Sequence, residues 1–293
     1  MSATKVKSEK FKKESLWTKA FFKFIKDKWG MLALFVVLIY FLIALGVWLE
    51  FFGNHWDELL ESGYSPMSMK HWFGTNINGQ DILERVLYGT KTAFQVGIIV
   101  ALLATIIGSS LGAVAGFCSG SFVDTIIMWL YGCLDAIPYY LFVAAIAFCL
   151  PDNPYSMHIA MISTFWSSTC RIIRGEVIKI KHLEYVEAAH SIGVPKFWII
   201  FKHILPNTSH IILVQASIAF VSAIKSEVIL SFLGLGVKEG TSWGIIIAES
   251  TNEVTAGFFN NFLSASIFLF VLVIAFNIFS DALQDALDPK KVG

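Results

Sequence analysis

Six long apolar segments divide this chain of 293 residues, and shorter polar or turn-forming stretches separate them. The segments are roughly 30–51, 92–117, 123–150, 157–173, 209–235 and 262–282. Each reaches the roughly 20 residues that a helix needs to cross hydrocarbon, the fourth only barely. Irregular backbone cannot cross a membrane, because its polar groups would lack hydrogen-bond partners there. The pattern therefore predicts an all-α integral membrane protein with six transmembrane helices.

The distribution of lysine and arginine predicts the orientation of these helices. Nine lysines precede Trp29, and further basic residues cluster in the stretch between the fourth and fifth segments and at the C-terminus. Basic residues concentrate on the cytoplasmic side of membrane proteins. The N- and C-termini are therefore expected in the cytosol, with an extracytoplasmic loop after the first segment.

Composition supports the membrane assignment and excludes other classes. The mean hydropathy is +0.66, and only 15% of residues are charged, against about 25% in soluble domains. The net charge is zero, so no overall field would recruit nucleic acid. The four cysteines and seven histidines are scattered without metal-ligand spacing, so we expect no metal site and no disulfide framework.

Residues 1–28 form a basic segment before the first apolar run. Trp17, Phe21 and Phe24 alternate with lysines in the pattern of an amphipathic helix on the inner membrane surface. A disordered basic tail is an equal alternative for residues 1–14.

A polar stretch between the fourth and fifth segments shows the pattern of two short helices. Residues 184–206 read EYVEAAHSIGVPKFWIIFKHILP. Gly193 can adopt the positive φ that stops a first helix, and Pro195 is suited to start a second. Four residues recur at helical spacing on that second helix and predict an apolar face, which Pro206 would end: Phe197, Ile200, Phe201 and Ile204. An amphipathic surface helix with no partner is the alternative.

This stretch resembles the "EAA" loop of bacterial ABC-importer permeases. The match comprises Glu187-Ala188-Ala189, Gly193 and a run ending in Leu205-Pro206, while His203 departs from the usual Ile at that position. The His-Ile-Leu-Pro ending is associated with peptide and nickel importers. In that family the loop is a helix–turn–helix that seats in a cleft of the ATP-hydrolysing subunit. The resemblance implies an ATPase-coupling loop at 175–207, whose matching and flanking residues are Glu184, Glu187, Ala188, Ala189, Gly193, Pro195, Leu205 and Pro206. Glu187 would contact the ATPase, or alternatively would only solvate the loop or balance Lys181 and Lys202.

Three further stretches resemble the C-type permease subunits of dipeptide, oligopeptide and nickel importers. They are HWFGTNINGQDILER at 71–85, SFLGLGVKEGTSWG at 231–244 and AFNIFSDALQDALDP at 275–289. In the first stretch, Asn76 and Gln80 replace an Asp and an Arg of the family pattern, so an ion pair used there would be absent here. The alternative for this stretch is a structural turn in which Asp81 caps a helix.

The resemblance implies the function, the partners and the organisation of the chain. The chain is expected to be a permease subunit of the bacterial cytoplasmic membrane, working with a homologous permease, two ATPase subunits and an extracytoplasmic solute-binding protein. Residues 29–91 would hold the first transmembrane helix and the outer loop, 92–283 the permease domain, and 284–293 a cytosolic tail. Peptide is the leading substrate, with nickel or another small solute as the alternative. The chain contains no phosphate-binding G-x-x-x-x-G-K-[ST] motif, so ATP and Mg²⁺ are expected on the partner subunits. We expect no enzymatic activity and no bound cofactor in this chain.

Three ionisable residues lie inside predicted spans, where charges are costly and usually face a cavity or a partner. They are Asp135, Lys225 and Glu227. Asp135 precedes Pro138, which should kink its helix. Each is a candidate for the translocation path. A buried contact with the sister subunit or a backbone-capping role is the alternative for Lys225 and Glu227. A secondary transporter would need no docking loop, and an intramembrane enzyme would need more convergent polar residues.

Overall fold

The computed structural model describes residues 16–59 and 63–288, and its regular elements there are helical apart from one isolated bridge between Thr75 and Asp81. The helices are α1 (Leu16–Lys26), α2 (Lys28–Trp48), α3 (Ile82–Phe117), α4 (Phe122–Asp135), α5 (Tyr139–Cys149), α6 (Ser156–Ile180), α7 (Glu184–Ser191), α8 (Lys196–Trp198), α9 (Ser209–Phe232), α10 (Trp243–Thr255) and α11 (Asn260–Leu287). A π-helical turn (Ile199–Ile204) and a 3₁₀ turn (Leu205–Thr208) join α8 to α9. The predicted all-α class is confirmed.

Four helices within the described residues are long and apolar enough to span a membrane: Lys28–Trp48, Ile82–Phe117, Lys196–Phe232 and Asn260–Leu287. The bent pair α4 and α5 counts as a fifth span if its two halves are taken together. Length and composition therefore identify four or five spans, against the six predicted. The difference is α6, which has 25 residues but carries too many polar side chains to meet the same hydropathy criterion.

The third predicted span is broken instead of merely kinked. Helices α4 and α5 meet at an angle of 92°, and Pro138 occupies the N-cap of α5. Proline lacks the N–H that a continuous helix would require, and its ring clashes with the preceding turn. The predicted distortion at Pro138 is thus confirmed in its position, but the helix is broken there and not only kinked.

Helix α3 begins earlier than predicted. Asp81 caps it by accepting a hydrogen bond from the Glu84 N–H at 3.0 Å, and the helix then continues for 36 residues, about 54 Å. The loop predicted to extend to residue 91 therefore becomes helical at Ile82. Charged residues such as Glu84 and Arg85 hid this amphipathic extension, although Ile82 and Val86 are fully buried.

A row of glycines sets the close approach of α3 to α6. A Cβ atom on Gly108, Gly112 or Gly116 would lie 2.5, 2.5 and 2.7 Å from the carbonyl oxygens of Trp166, Cys170 and Arg174. Both sets recur every four residues, as expected for facing rows on two crossing helices. Such small residues allow two membrane helices to pack closely.

The amphipathic helix α1 lies against the C-terminal part of α11. Phe24 packs edge-on against Phe279 with ring centroids 5.9 Å apart, and Lys23 Nζ donates to the Asp285 carbonyl at 2.8 Å. Trp17 and Phe21 remain exposed, as the membrane-surface prediction requires. Residues 1–15, including the alternative tail, and the tail beyond residue 288 lie outside the described residues.

Candidate coupling loop and central cavity

The first helix of the candidate coupling loop, α7, ends where the sequence predicts. Gly193 has φ of +82°, and its N–H donates to the His190 carbonyl at 3.1 Å. The Val194 N–H reaches back to the Ala189 carbonyl, also at 3.1 Å. These two bonds form the glycine C-terminal cap known as the Schellman motif. At the other end, Glu184 and Glu187 lie in the first turn, where negative charge is favourable beside the helix dipole.

The second half of the loop does not end at Pro206, so that prediction was wrong. Pro195 precedes α8 at its N-cap, and the helical path then continues through the π turn and the 3₁₀ turn into α9. Pro206 has no N–H to donate and would clash with the carbonyl four residues earlier in a regular α-helix. The change of helix type at Ile199–Thr208 accommodates it. The loop is thereby mechanically continuous with the helix α9.

The buried side of the loop is joined to the ends of two long helices. Val186 and Ala189 of α7 and Ile199, Ile200 and Ile204 of the second half form one apolar cluster with Ala113 of α3 and with Ile173, Val177 and Ile180 of α6. Phe197 was predicted on this face but is 65% exposed, because the π turn shifts the helical phase. The loop is thus anchored through its aliphatic residues, and Ile199 was missed by the spacing argument.

The opposite side of the loop presents apolar side chains to the surface. Ile192 is 81% exposed, Phe197 65% and Trp198 54%. They flank Gly193, where an added Cβ atom would have no neighbouring atom within 4 Å. We call these four residues the exposed loop face. Large adjacent apolar side chains on a surface mark interaction sites.

The remaining candidate residues lie around this face. Glu184, Glu187, Ala188, Pro195 and Pro206 are exposed, Leu205 is partly buried and Ala189 is buried. His182 Nδ1 lies 4.0 Å from Glu187 Oε1, at the limit of an ion pair. Lys181 instead donates to Ser119 Oγ, and Lys202 lies over the Trp198 ring. Neither lysine therefore balances Glu187 directly.

A charged pair that sequence reasoning missed fixes α4 to α6 near the same end of the bundle. Arg174 Nε and Nη2 donate to the two Asp124 carboxylate oxygens at 2.7 and 2.8 Å. Asp124 also accepts from the Gly120 N–H at 2.9 Å. A bidentate arginine–carboxylate pair is geometrically specific, so it holds the two helices in register. No sequence spacing links residues 50 positions apart.

A cavity of about 540 Å³ lies midway along the bundle, between the α4–α5 bend, α6 and α9. Asp135 lines it at the end of α4 and accepts a hydrogen bond of 3.3 Å from the Tyr131 hydroxyl. Most of the other polar lining comes from hydroxyl and amide side chains: Thr164, Ser167, Ser168, Thr169, Gln215 and Ser222. Four of the polar residues that lower the hydropathy of α6 thus line this cavity. That signal was present in the sequence as the cluster STFWSST.

The other two ionisable candidates lie elsewhere. Glu227 is 1% exposed and accepts a hydrogen bond from Ser231 Oγ at 2.5 Å. Lys225 is exposed on a separate groove between α9 and α11. Of the three candidates, the structure brings only Asp135 to the central cavity.

The outer end of the bundle is organised around residues 71–85. Asn76 and Gln80, which replace the charged residues of the family pattern, bond to each other through Asn76 Nδ2 and Gln80 Oε1 at 2.8 Å. Asn76 Oδ1 also accepts from the Asn78 and Gln80 N–H groups. A neutral amide pair therefore fixes the turn in place of an ion pair. Asp81 caps α3, as the alternative interpretation of this stretch predicted, and it also contacts His71 Nδ1 at 2.6 Å.

The buried Arg85 ties this outer turn to α10. Its Nη1 lies 2.7 Å from Glu249 Oε2, and Thr92 Oγ1 donates to the Thr241 carbonyl at 2.6 Å. The extension of α3 and the stretch before α10 are thus joined. Across residues 16–59 and 63–288, no group of three or more His, Cys, Asp and Glu side chains is placed to hold a metal ion.

Comparison with known proteins gives the family. Residues 108–293 match the family model described as "Binding-protein-dependent transport system inner membrane component". The chain is 36% identical to the dipeptide transport system permease protein of Bacillus subtilis over 267 residues, covering 90% of this chain and 83% of that protein. It is 34% identical over 286 residues to the oligopeptide transport system permease protein of the same organism, covering 97% and 93%. The corresponding oligopeptide permease of Escherichia coli is 33% identical over 288 residues, covering 97% and 95%.

The matched region contains the candidate coupling loop, the central cavity and the helices from the last third of α3 onward. This multi-pass membrane protein belongs to the family of binding-protein-dependent transport system inner membrane components.

Proposed function

We propose that this chain is the C-type permease subunit of an ATP-driven importer and forms half of a translocation path for peptides. The observation that carries the proposal is the loop of α7 and α8, which presents an exposed apolar face while its other side is built into the bundle. The names of the relatives, dipeptide and oligopeptide permeases, support peptide as the substrate class. Nickel or another small solute remains the second candidate.

The loop has the properties of a coupling element. An ATPase subunit would bind the exposed loop face, with Glu187 beside it as a charged contact. The aliphatic cluster behind the loop ties α7 to α3 and α6, and the continuous helical path ties it to α9. Closely packed interiors transmit displacement instead of absorbing it. Closure of two ATPase subunits on ATP and Mg²⁺ would therefore move these three helices as a unit.

The proposed topology has six spans, with α6 as the fourth. Helix α6 crosses α3 along the glycine row, so it runs beside the longest span even though it is less apolar. Thr164, Ser167, Ser168 and Thr169 of α6 line the central cavity, and polar side chains that face a cavity are tolerable within a membrane. Both termini and the coupling loop would face the cytosol, with residues 52–81 outside. The predicted division of the chain is retained, except that the boundary between residues 29–91 and 92–283 moves to Ile82, where α3 begins.

The central cavity is proposed as this subunit's share of the path. It is open on one side, where a homologous permease would complete it, and an extracytoplasmic binding protein would deliver solute from the outer end. Asp135 is the charged residue among those that line the cavity, so it is the candidate that a passing solute would contact. The chain would conduct solute and transmit movement, and the chemistry of ATP would take place on the partner subunits.

The test is co-purification of the tagged chain from membranes that also contain the products of its neighbouring genes. Wild type should retain an ATPase subunit and the sister permease. Gly193→Asp should lose the ATPase but keep the sister permease. Aspartate tolerates positive φ better than most side chains, and no atom lies within 4 Å of an added Cβ, so the substitution places a charge on the exposed loop face with less backbone strain than most residues would cause.

Gly234→Asp is the matched control. Gly234 has φ of +77°, also follows the C-cap of a helix, and has no atom within 4 Å of a built Cβ, but it lies at the opposite end of the bundle. The Gly234→Asp variant should retain the ATPase subunit. Wild type without any ATPase subunit in mild detergent would contradict the importer proposal and would favour a stand-alone carrier.

A further inference from the structure

A second cavity, of about 370 Å³, lies at the outer end of the bundle. We call it the outer cavity. It is bordered by the turn beginning at Tyr64, by the last turn of α10 and by the first turn of α11, and its lining includes Glu253, Phe258 and Asn261. None of these residues belongs to the coupling loop or the central cavity.

Two buried polar side chains in the outer cavity lack the partners that burial normally requires. Asn261 is 1% exposed, and neither its amide nitrogen nor its amide oxygen has a hydrogen-bond partner. Glu253 is 2% exposed. Its Oε1 accepts from the Ile77 N–H at 2.9 Å, but among the described residues no basic side chain forms an ion pair with it. Buried amides are almost always hydrogen-bonded, and buried carboxylates are almost always paired.

The aromatic wall of the outer cavity suits a positively charged ligand. Tyr64 stacks on Phe258 with ring centroids 3.8 Å apart and planes 10° apart, and both rings line the cavity. Tyr64 holds φ of +60°, which is uncommon for an aromatic residue, and its N–H is fixed on the Asn76 carbonyl at 3.1 Å. Aromatic faces attract cations, and no basic side chain is among the described lining residues.

We infer that the outer cavity binds a guanidinium or ammonium group. Glu253 would supply the opposite charge, the Asn261 amide oxygen would accept one N–H, and the Tyr64–Phe258 stack would cover the ligand. The cation could be carried by a side chain of an extracytoplasmic protein or by a small solute, since both present the same chemistry. The placement of this site outside the membrane rests on the proposed topology.

The probe is methylguanidinium, titrated by calorimetry into the full chain purified in nanodiscs with whichever subunits it retains. N-methylurea has nearly the same shape without the charge and serves as the control ligand. Wild type should bind methylguanidinium and not N-methylurea. Glu253→Gln keeps an acceptor for the Ile77 N–H but loses the charge, so it should bind about tenfold more weakly or worse.

Asn261→Leu separates ligand binding from folding. Removing an unpartnered buried amide should leave the unfolding midpoint of the empty protein unchanged or higher, while methylguanidinium binding falls. Glu239→Gln removes an exposed outer carboxylate away from the cavity and should bind as wild type does. The inference is overturned if wild type does not bind methylguanidinium, if N-methylurea binds equally well, or if Glu253→Gln binds like wild type.

Competition identifies the source of the cation. If the extracytoplasmic binding protein displaces methylguanidinium, the natural ligand is a side chain of that protein; if it does not, the ligand is a small cation. Both results are interpreted only after wild type has been shown to bind methylguanidinium. The titration uses no ATP and no transport, so a failure of ATPase co-purification would overturn the proposed function and leave this measurement interpretable.

Discussion

At the scale of single residues, environment separates three charges that the sequence treats alike. Asp135, Lys225 and Glu227 all lie within predicted spans, but their surroundings in the fold are unrelated. Glu227 is enclosed and bonded to Ser231, and Lys225 faces a groove of nearly apolar character. Only Asp135 stands in a cavity with many hydroxyl groups. A charge that is neither enclosed nor paired with a cation is available to a passing solute.

Asp135→Asn should therefore change transport without changing assembly. The substitution preserves shape and removes one negative charge from the central cavity, so uptake of a cationic peptide should fall by roughly fivefold to tenfold relative to a neutral peptide. Initial uptake rates in proteoliposomes containing the assembled complex would measure this ratio. Lys225→Met, which removes a charge outside the cavity, is the control. An unchanged ratio for Asp135→Asn would remove this residue from the path.

At the scale of elements, the crossing of α3 and α6 depends on backbone contact. The glycine row on α3 allows the carbonyl groups of Trp166, Cys170 and Arg174 to approach to contact distance. In a membrane, where helices gain little from hydrophobic burial against one another, such close packing is a main source of association energy. The crossing also carries the anchor of the coupling loop, because Ile173 and Val177 lie on the same helix.

Gly112→Ala should destabilise this crossing. The new Cβ would lie 2.5 Å from the Cys170 carbonyl oxygen, so the helices must separate, at a cost of about 1–3 kcal/mol. The free energy of unfolding, measured by denaturant titration in detergent, should fall accordingly.

Gly175→Ala provides the comparison on the facing helix. It adds the same methyl group to α6, where no atom lies within 4 Å, and alanine favours a helix over glycine by up to about 1 kcal/mol. Its stability should be unchanged or higher. Equal effects of the two substitutions would show that the crossing is not limited by backbone contact.

At the scale of the whole molecule, the proposed topology places the coupling loop and the outer cavity on opposite sides of the membrane. Single cysteines at Ile192 and Glu239, in a chain whose native cysteines are replaced, test this directly. Both positions are exposed. A membrane-impermeant maleimide added to intact cells should label Glu239→Cys alone, and Ile192→Cys should react only after the membrane is opened and the ATPase subunit is removed. Labelling of Ile192→Cys in intact cells would contradict the topology.

Much of the fold could be predicted because hydrocarbon imposes simple demands. Long apolar runs predicted α2, α9 and α11, since a segment that crosses hydrocarbon must form all of its backbone hydrogen bonds internally and therefore becomes a helix. Local chemistry predicted the Asp81 cap and the Gly193 stop, because both act within a few residues. Boundaries failed where burial overrode composition. Charged residues hid the first turns of α3, and the predicted fourth span, 157–173, covers only part of the 25 residues of α6.

The sequence by itself determined the helical class, the family and the position of the turn at Gly193, because these follow from local preference and from motifs in order. Only the tertiary structure decided which charge meets the central cavity, that Asp124 pairs with Arg174, and that Pro206 lies within a continuous distorted helix. It also decided that Glu253 and Asn261 line one cavity, although neither residue stands out in the chain. Those outcomes depend on helices far apart in sequence, and the contacts between them form only when the bundle packs.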